Sequence, residues 1–80
     1  MKQGNEGDFV LIIDDKDTYY FKIGKIIQVH YHEYENVVKS YVIEFVEGVF
    51  EGVPLRKMAY YDGYIFDDYR AKILNFKELF

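Results

Sequence analysis

Val37-Val38-Lys39-Ser40-Tyr41-Val42-Ile43-Glu44-Phe45-Val46 is the stretch on which the fold turns. Tyr41, Ile43 and Phe45 recur at every second position, the period of a pleated strand, and β-branched and aromatic residues suit that conformation. Ser40, Val42 and Glu44 form the opposite row. Val38, Val42 and Val46 make that row apolar as well, so a strand over 37–46 has two faces to cover. A helix or a second subunit is the expected cover, which leaves a homodimer open.

Upstream, Phe9 to Ile13 form an apolar run ended by Asp14-Asp15-Lys16-Asp17, a short strand and a charged turn. Residues 19–32 predict a second strand, in which Ile27, Val29 and Tyr31 alternate with Gln28, His30 and His32, and Gly24 marks a bulge or tight bend. Glu33 to Asn36 supply a polar turn into 37–46. Downstream, Gly48 and Gly52 bracket a second turn region, and Pro54 keeps Val53 extended at the head of a strand over 53–61.

Asp62-Gly63 lies between Tyr60-Tyr61 and Tyr64-Ile65-Phe66, the two-residue signal of a type I′ hairpin leading to a strand at 64–66. The period then changes. Tyr69, Ile73, Phe76 and Phe80 fall at i, i+4, i+7 and i+11, one face of a helix over about 68–79 with Asp67 or Asp68 as its N-cap. The expected fold class is mostly β (α+β): one domain over residues 1–80, a small antiparallel curled sheet or barrel with a C-terminal helix.

Composition limits the chemistry. Eighty residues with 50% hydrophobic content allow one core, and at the usual stability per residue the domain should resist unfolding by about 4–12 kcal/mol. With no cysteine there is no disulfide or thiolate metal site. The polar N-terminus and the lack of a long apolar run point to a cytoplasmic protein that does not enter membranes. A net charge of −4 and a pI near 5.0 oppose direct contact with nucleic-acid phosphates. Phe, Tyr, Met, Ile, Asn and Lys are abundant while Gly, Ala, Arg and Pro are scarce, a skew that A+T-rich coding produces and that suggests a low-G+C bacterium or its phage.

Gly7-Asp8-Phe9-Val10-Leu11-Ile12, then Gly24-Lys25-Ile26-Ile27-Gln28-Val29, then Tyr41-Val42-Ile43-Glu44-Phe45 resemble the opening strands of SH3-like small barrels of the KOW kind. A Gly-Asp turn starts the first strand in that family and a Gly-Lys pair the second. The resemblance covers roughly residues 7–60. It implies an SH3-like fold and, as the alternative function, a nucleic-acid- or ribosome-associated module. Lys22, Lys25, Arg56 and Lys57 beside Tyr20 and Tyr60 would then form its stacking and phosphate-contact patch.

Catalytic constellations are weak. Ser40 is the sole serine and sits in a strand, and no glycine-rich loop is present to cradle phosphate. His30 and His32 share a strand face but have no third ligand in view, Asp14 to Asp17 lack the spacing of a calcium loop, and Asp67-Asp68 suit capping. The expectation is a non-enzyme without cofactor or metal. What stands out is acid beside tyrosine. Glu33, Glu35, Glu44, Glu47 and Glu51, against Lys39, give residues 33–53 a charge of −4, and Tyr60, Tyr61, Asp62, Tyr64, Asp67 and Asp68 follow in a run that ends at Tyr69. Amphipathic rings give contact area and carboxylates give steering, which suits a protein-binding surface for a basic partner. A phage regulator that mimics DNA is the furthest extension of that expectation.

Overall fold

The computed structural model describes residues 3–74, which form five strands: β1 (Phe9–Ile12), β2 (Ile23–Tyr31), β3 (Val38–Phe50), β4 (Val53–Asp62) and β5 (Ala71–Leu74). They make one antiparallel sheet in the order β4-β3-β2-β1-β5, so four consecutive strands joined neighbour to neighbour are followed by a last strand that returns beside the first. Tyr61 on one edge strand and Ala71 on the other join the same buried cluster, which requires the sheet to curl around it.

The 37–46 alternation is realised in β3. Tyr41, Ile43 and Phe45 are fully or almost fully buried, facing Val29 and Tyr61, Ile26 and Ala59, and Lys57 respectively across the neighbouring strands. Tyr19 stacks on Phe45 with ring centroids 4.2 Å apart, and Phe66 meets Tyr41 edge-on at 5.2 Å. The second apolar row is broken up. Register slips between His30 and Tyr31, leaving Lys39 as an extra residue that turns Val38 into the core, whereas Val46 stays 53% exposed. Val42 is 2% exposed on the outer face, between Gln28 and Tyr60 of the flanking strands.

Three local expectations are corrected. Asp62-Gly63 is not a hairpin and 64–66 is not a strand: residues 63–69 form a hydrogen-bonded turn that leads to β5. Gly63 serves close approach, since a Cβ there would lie 2.0 Å from the Val38 carbonyl oxygen. The two-residue turn with both φ positive is Glu51-Gly52, at 51° and 79°, between Phe50 and Val53. Gly24 is likewise a contact position, because a Cβ would meet Ile43 at 2.5 Å and Phe45 at 2.7 Å; the bulge lies at Ile27 instead. Residues 19–22 belong to the β1–β2 connection, not to β2.

The C-terminal helix is the largest correction. No helix occurs among the described residues, and Ala71–Leu74 is a strand paired with β1. Asp67 and Asp68 N–H donate to the Tyr64 carbonyl, which starts a helical turn, but Tyr69 then adopts φ 64° and Arg70 N–H bonds back to the Ile65 carbonyl at 3.2 Å. That six-to-one bond around a left-handed residue is how helices end, so this one ends after a single turn. The open edge of β1 then captures Ile73 and Ala71, placing Ile73 opposite Val10 and Ala71 opposite Ile12. Phe76 and Phe80 lie outside the described residues.

Two phenols are locked into the core. Burial pushes the Tyr61 hydroxyl well above its ordinary 10.0, and the Asp17 carboxylate that accepts its hydrogen bond at 3.1 Å adds to the effect. Burial also raises Tyr41, outweighing the lowering by the Gly4 N–H that its oxygen accepts at 2.9 Å. Unfolded tyrosines lose their protons near pH 10 while these two keep theirs, so stability should fall as pH rises from about 10, by up to about 1.4 kcal/mol per pH unit for each. Urea unfolding between pH 8 and 11 reads that slope, and Tyr61→Phe should make it shallower.

Candidate interaction surface

The acidic and tyrosine residues separate into two ends of the molecule. Thirteen residues of β3 span about 40 Å. Glu33 and Glu35 are exposed in the turn before β3, whereas Glu47 and Glu51 are exposed at its far end, in the β3–β4 hairpin. The negative run over 33–53 is therefore not one face. Glu44, midway and half-buried on the outer face, is held by Arg56 Nη1 at 2.7 Å and lies opposite Lys25.

The turn end gathers what the two runs have in common. β4 finishes at Asp62 opposite Ser40, and Gly63 N–H donates to the Lys39 carbonyl at 3.0 Å, so residues 63–70 leave the sheet beside the start of β3. His32 N–H bonds to the Val37 carbonyl and closes the intervening turn. Glu33, Tyr34 and Glu35 thus share an end with Asp62, Tyr64, Asp67 and Asp68. Tyr34 is 91% exposed, and Tyr31 and Tyr64 are both about half exposed.

Not all these carboxylates are available. Arg70 binds Asp62 through Nη2 at 2.8 Å and Asp68 through Nε at 2.8 Å. Burial alone would raise the Asp62 carboxyl, but the Arg70 guanidinium and the Tyr64 N–H outweigh it and hold the group below its ordinary range. The guanidinium is held charged by Asp68, against the effect of its burial, and by Asp62. Asp67 is half-buried. Tyr61, nominated as a surface residue by sequence, is a core residue at 9% exposure, whereas Tyr60 beside it is 74% exposed on the outer face.

Sequence reasoning passed over Tyr34, although it stands between two of the nominated glutamates. It also passed over Phe21, 70% exposed, gave Tyr69 to a helix face although it is 76% exposed, and used Tyr20, 48% exposed, only in the nucleic-acid alternative; all three lie around the end of β1. Phe21 and Tyr69 hold positive φ of 65° and 64°, unusual for bulky side chains, and no sequence pattern announces it. Near them Ile13, Phe66, Tyr69, Ala71, Lys72 and Ile73 line a concavity of about 360 Å³ that contains none of the nominated acids.

The remaining motifs resolve locally. Asp14 to Asp17 form the expected turn, with Lys16 N–H on the Asp14 carboxylate and Tyr19 N–H on Asp17. His30 Nε2 lies 3.2 Å from Gln28 Oε1, and His32 is exposed beyond the end of β2. No helix of the described residues is long and apolar enough to cross a membrane. No protein-family model, curated protein or solved structure matches the chain.

Proposed function

We propose that the chain is a non-catalytic protein-interaction module of SH3-like barrel build, whose acidic, tyrosine-bearing turn end binds a basic protein. The barrel reading is supported by the strand order, in which β5 returns beside β1 and closes a shared core. The binding reading rests chiefly on Tyr34, 91% exposed between Glu33 and Glu35 on the end that also presents Tyr64. A ring with so little cover keeps its apolar faces in water, and burying them becomes favourable contact area only when a partner arrives. Flanking carboxylates steer a cationic partner toward it. In its furthest form the carboxylates take the place of phosphates on a nucleic-acid-binding partner, as a phage regulator of a host protein would use them.

The nucleic-acid alternative is weaker on one observation. Arg56, one of its four cations, is committed to Glu44, and Glu44 also faces Lys25. Fluorescence anisotropy decides between the two. A labelled Lys/Arg-rich peptide library should yield binders released by salt, and Glu33→Lys with Glu35→Lys and Tyr34→Ala should weaken them by at least about tenfold, while Glu47→Lys with Glu51→Lys leaves them near wild type. Labelled single-stranded DNA and RNA should show no binding; binding to those oligonucleotides in place of the basic peptides would overturn the proposal.

A further inference from the structure

β4 is an open edge. Among the described residues it pairs with β3 alone, and Val53 to Met58 are exposed throughout. Edge strands of this length are normally blunted, because their free amides invite another strand. Which amides are free follows from the ladder. Gly63 N–H donates to the Lys39 carbonyl one step beyond the Ser40–Asp62 pair, and hydrogen-bonded pairs alternate in antiparallel sheet. Tyr61, Ala59 and Lys57 therefore turn their backbone groups toward β3, and Tyr60, Met58 and Arg56 turn theirs to the open edge. The register slips between Val46 and Val49, but the extra residue is on β3, so the alternation along β4 continues and Pro54 faces the edge, where it has no N–H to offer. The Asp62 carbonyl is already taken by the Ile65 N–H at 3.2 Å.

We propose that β4 pairs with β4 of a second copy of this chain, antiparallel and centred on Met58. In that register Met58 lies opposite Met58, Arg56 opposite Tyr60, and Pro54 opposite Asp62. The free groups meet free groups. At the outer pair the proline without a proton meets the carbonyl already in use, so the gap in one strand coincides with the gap in the other. Moving the centre to Ala59 would aim Arg56 N–H at that occupied carbonyl. Moving it to Lys57 would set two ammonium groups against each other and put Pro54 opposite the free Tyr60 carbonyl. Shifting by half a step mismatches every donor and acceptor.

Side chains favour the same register. Met58 is 59% and Tyr60 74% exposed on the outer face, and the pairing covers both. Arg56, with its Nη1 still on Glu44, comes opposite the Tyr60 ring of the second copy, where the remaining face of the guanidinium can lie on the aromatic ring without breaking that ion pair. Leu55, 46% exposed, comes opposite Tyr61. The two-fold axis also runs the β3–β4 arm, whose Val49, Phe50 and Val53 are 65%, 64% and 62% exposed, past the Asp62 end of the second copy. A closed, self-complementary contact of this kind makes a dimer and not a fibre.

Sedimentation equilibrium of the full chain tests this. The expected mass is twice the 9.6 kDa of one chain, falling toward 9.6 kDa on dilution. Met58→Lys places two like charges at the axis and should raise the dissociation constant by at least about tenfold. Met58→Pro removes an edge-facing N–H and no bond to β3, so it should give a folded monomer by circular dichroism; should it unfold, Met58→Lys alone decides. A 9.6 kDa species at all concentrations, or a dimer unchanged by Met58→Lys, overturns the proposal. Tyr34 and its flanking glutamates are untouched by these variants, so peptide binding reports separately on the turn end.

Discussion

Gly63→Ala should lower stability by about 3 kcal/mol or more, which for a chain of this size moves the thermal midpoint down by roughly 12–24 °C. The added Cβ would stand 2.0 Å from the Val38 carbonyl oxygen and 2.7 Å from its carbon. Both are backbone atoms at the start of β3, so no side-chain rotation relieves the clash. The chain must instead draw β4 away from β3 at the point where Gly63 N–H donates to the Lys39 carbonyl, weakening a bond worth about 1 kcal/mol besides. Gly7 provides the control: nothing lies within 4 Å of a Cβ there, and the cost of Gly7→Ala comes from its φ of 92° alone. Thermal melts of the two variants separate a steric glycine from a conformational one. Gly63 has no positive φ, so a loss no larger than that of Gly7→Ala would show that the strands yield to the added Cβ and that close approach does not demand glycine at 63.

The same position shows what the sequence could and could not reveal. A glycine after an aspartate signals positive φ twice in a row, and that reading put a hairpin at Asp62-Gly63. Glycine has a second use, the absence of a side chain, and the Val38 carbonyl that demands it lies far away in sequence. The true two-residue turn carries Glu51 at φ 51°, a residue with no turn preference to advertise. Long-range pairing hid the end of the chain in the same way. Tyr69 and Ile73 do recur at helical spacing, but Val10 and Ile12 offer β5 an unpaired edge and an inward row for Ile73 and Ala71. Where a period of two ran through β-branched and aromatic residues, as at Tyr41, Ile43 and Phe45, the buried face was legible; the row Ile27, Val29 and Tyr31 was misread, because the bulge at Ile27 puts Ile26 in the core and leaves Ile27 and Tyr31 exposed. The candidate surface was legible only as composition: acids close in sequence along 33–53 lie at opposite ends of one long strand, and those that do share an end come from two segments brought together by the β3–β4 pairing.

Tyr41→Ala should be the most damaging single truncation, removing about 4–8 kcal/mol and leaving little of the fold's expected reserve. The ring is completely buried in the central strand, packed edge-on to Phe66 and flanked by Val29 and Tyr61 across the two ladders. Removing a buried aromatic ring costs about 3–5 kcal/mol through lost contacts and the cavity left behind. The hydroxyl adds a separate loss, because it accepts the buried Gly4 N–H at 2.9 Å, and a Cβ at Gly4 would collide with Ile26 at 2.5 Å, so that segment has no room to seek another acceptor. An orphaned donor of this kind costs about 1–3 kcal/mol. Tyr41→Phe isolates that second part: it keeps the ring and should lose only about 1–3 kcal/mol, with amide exchange at Gly4 accelerating more than exchange at Ile43. Urea unfolding of the pair measures both contributions. A Phe variant as stable as wild type would show that water replaces the phenol on Gly4, and would assign the whole of Tyr41 to packing.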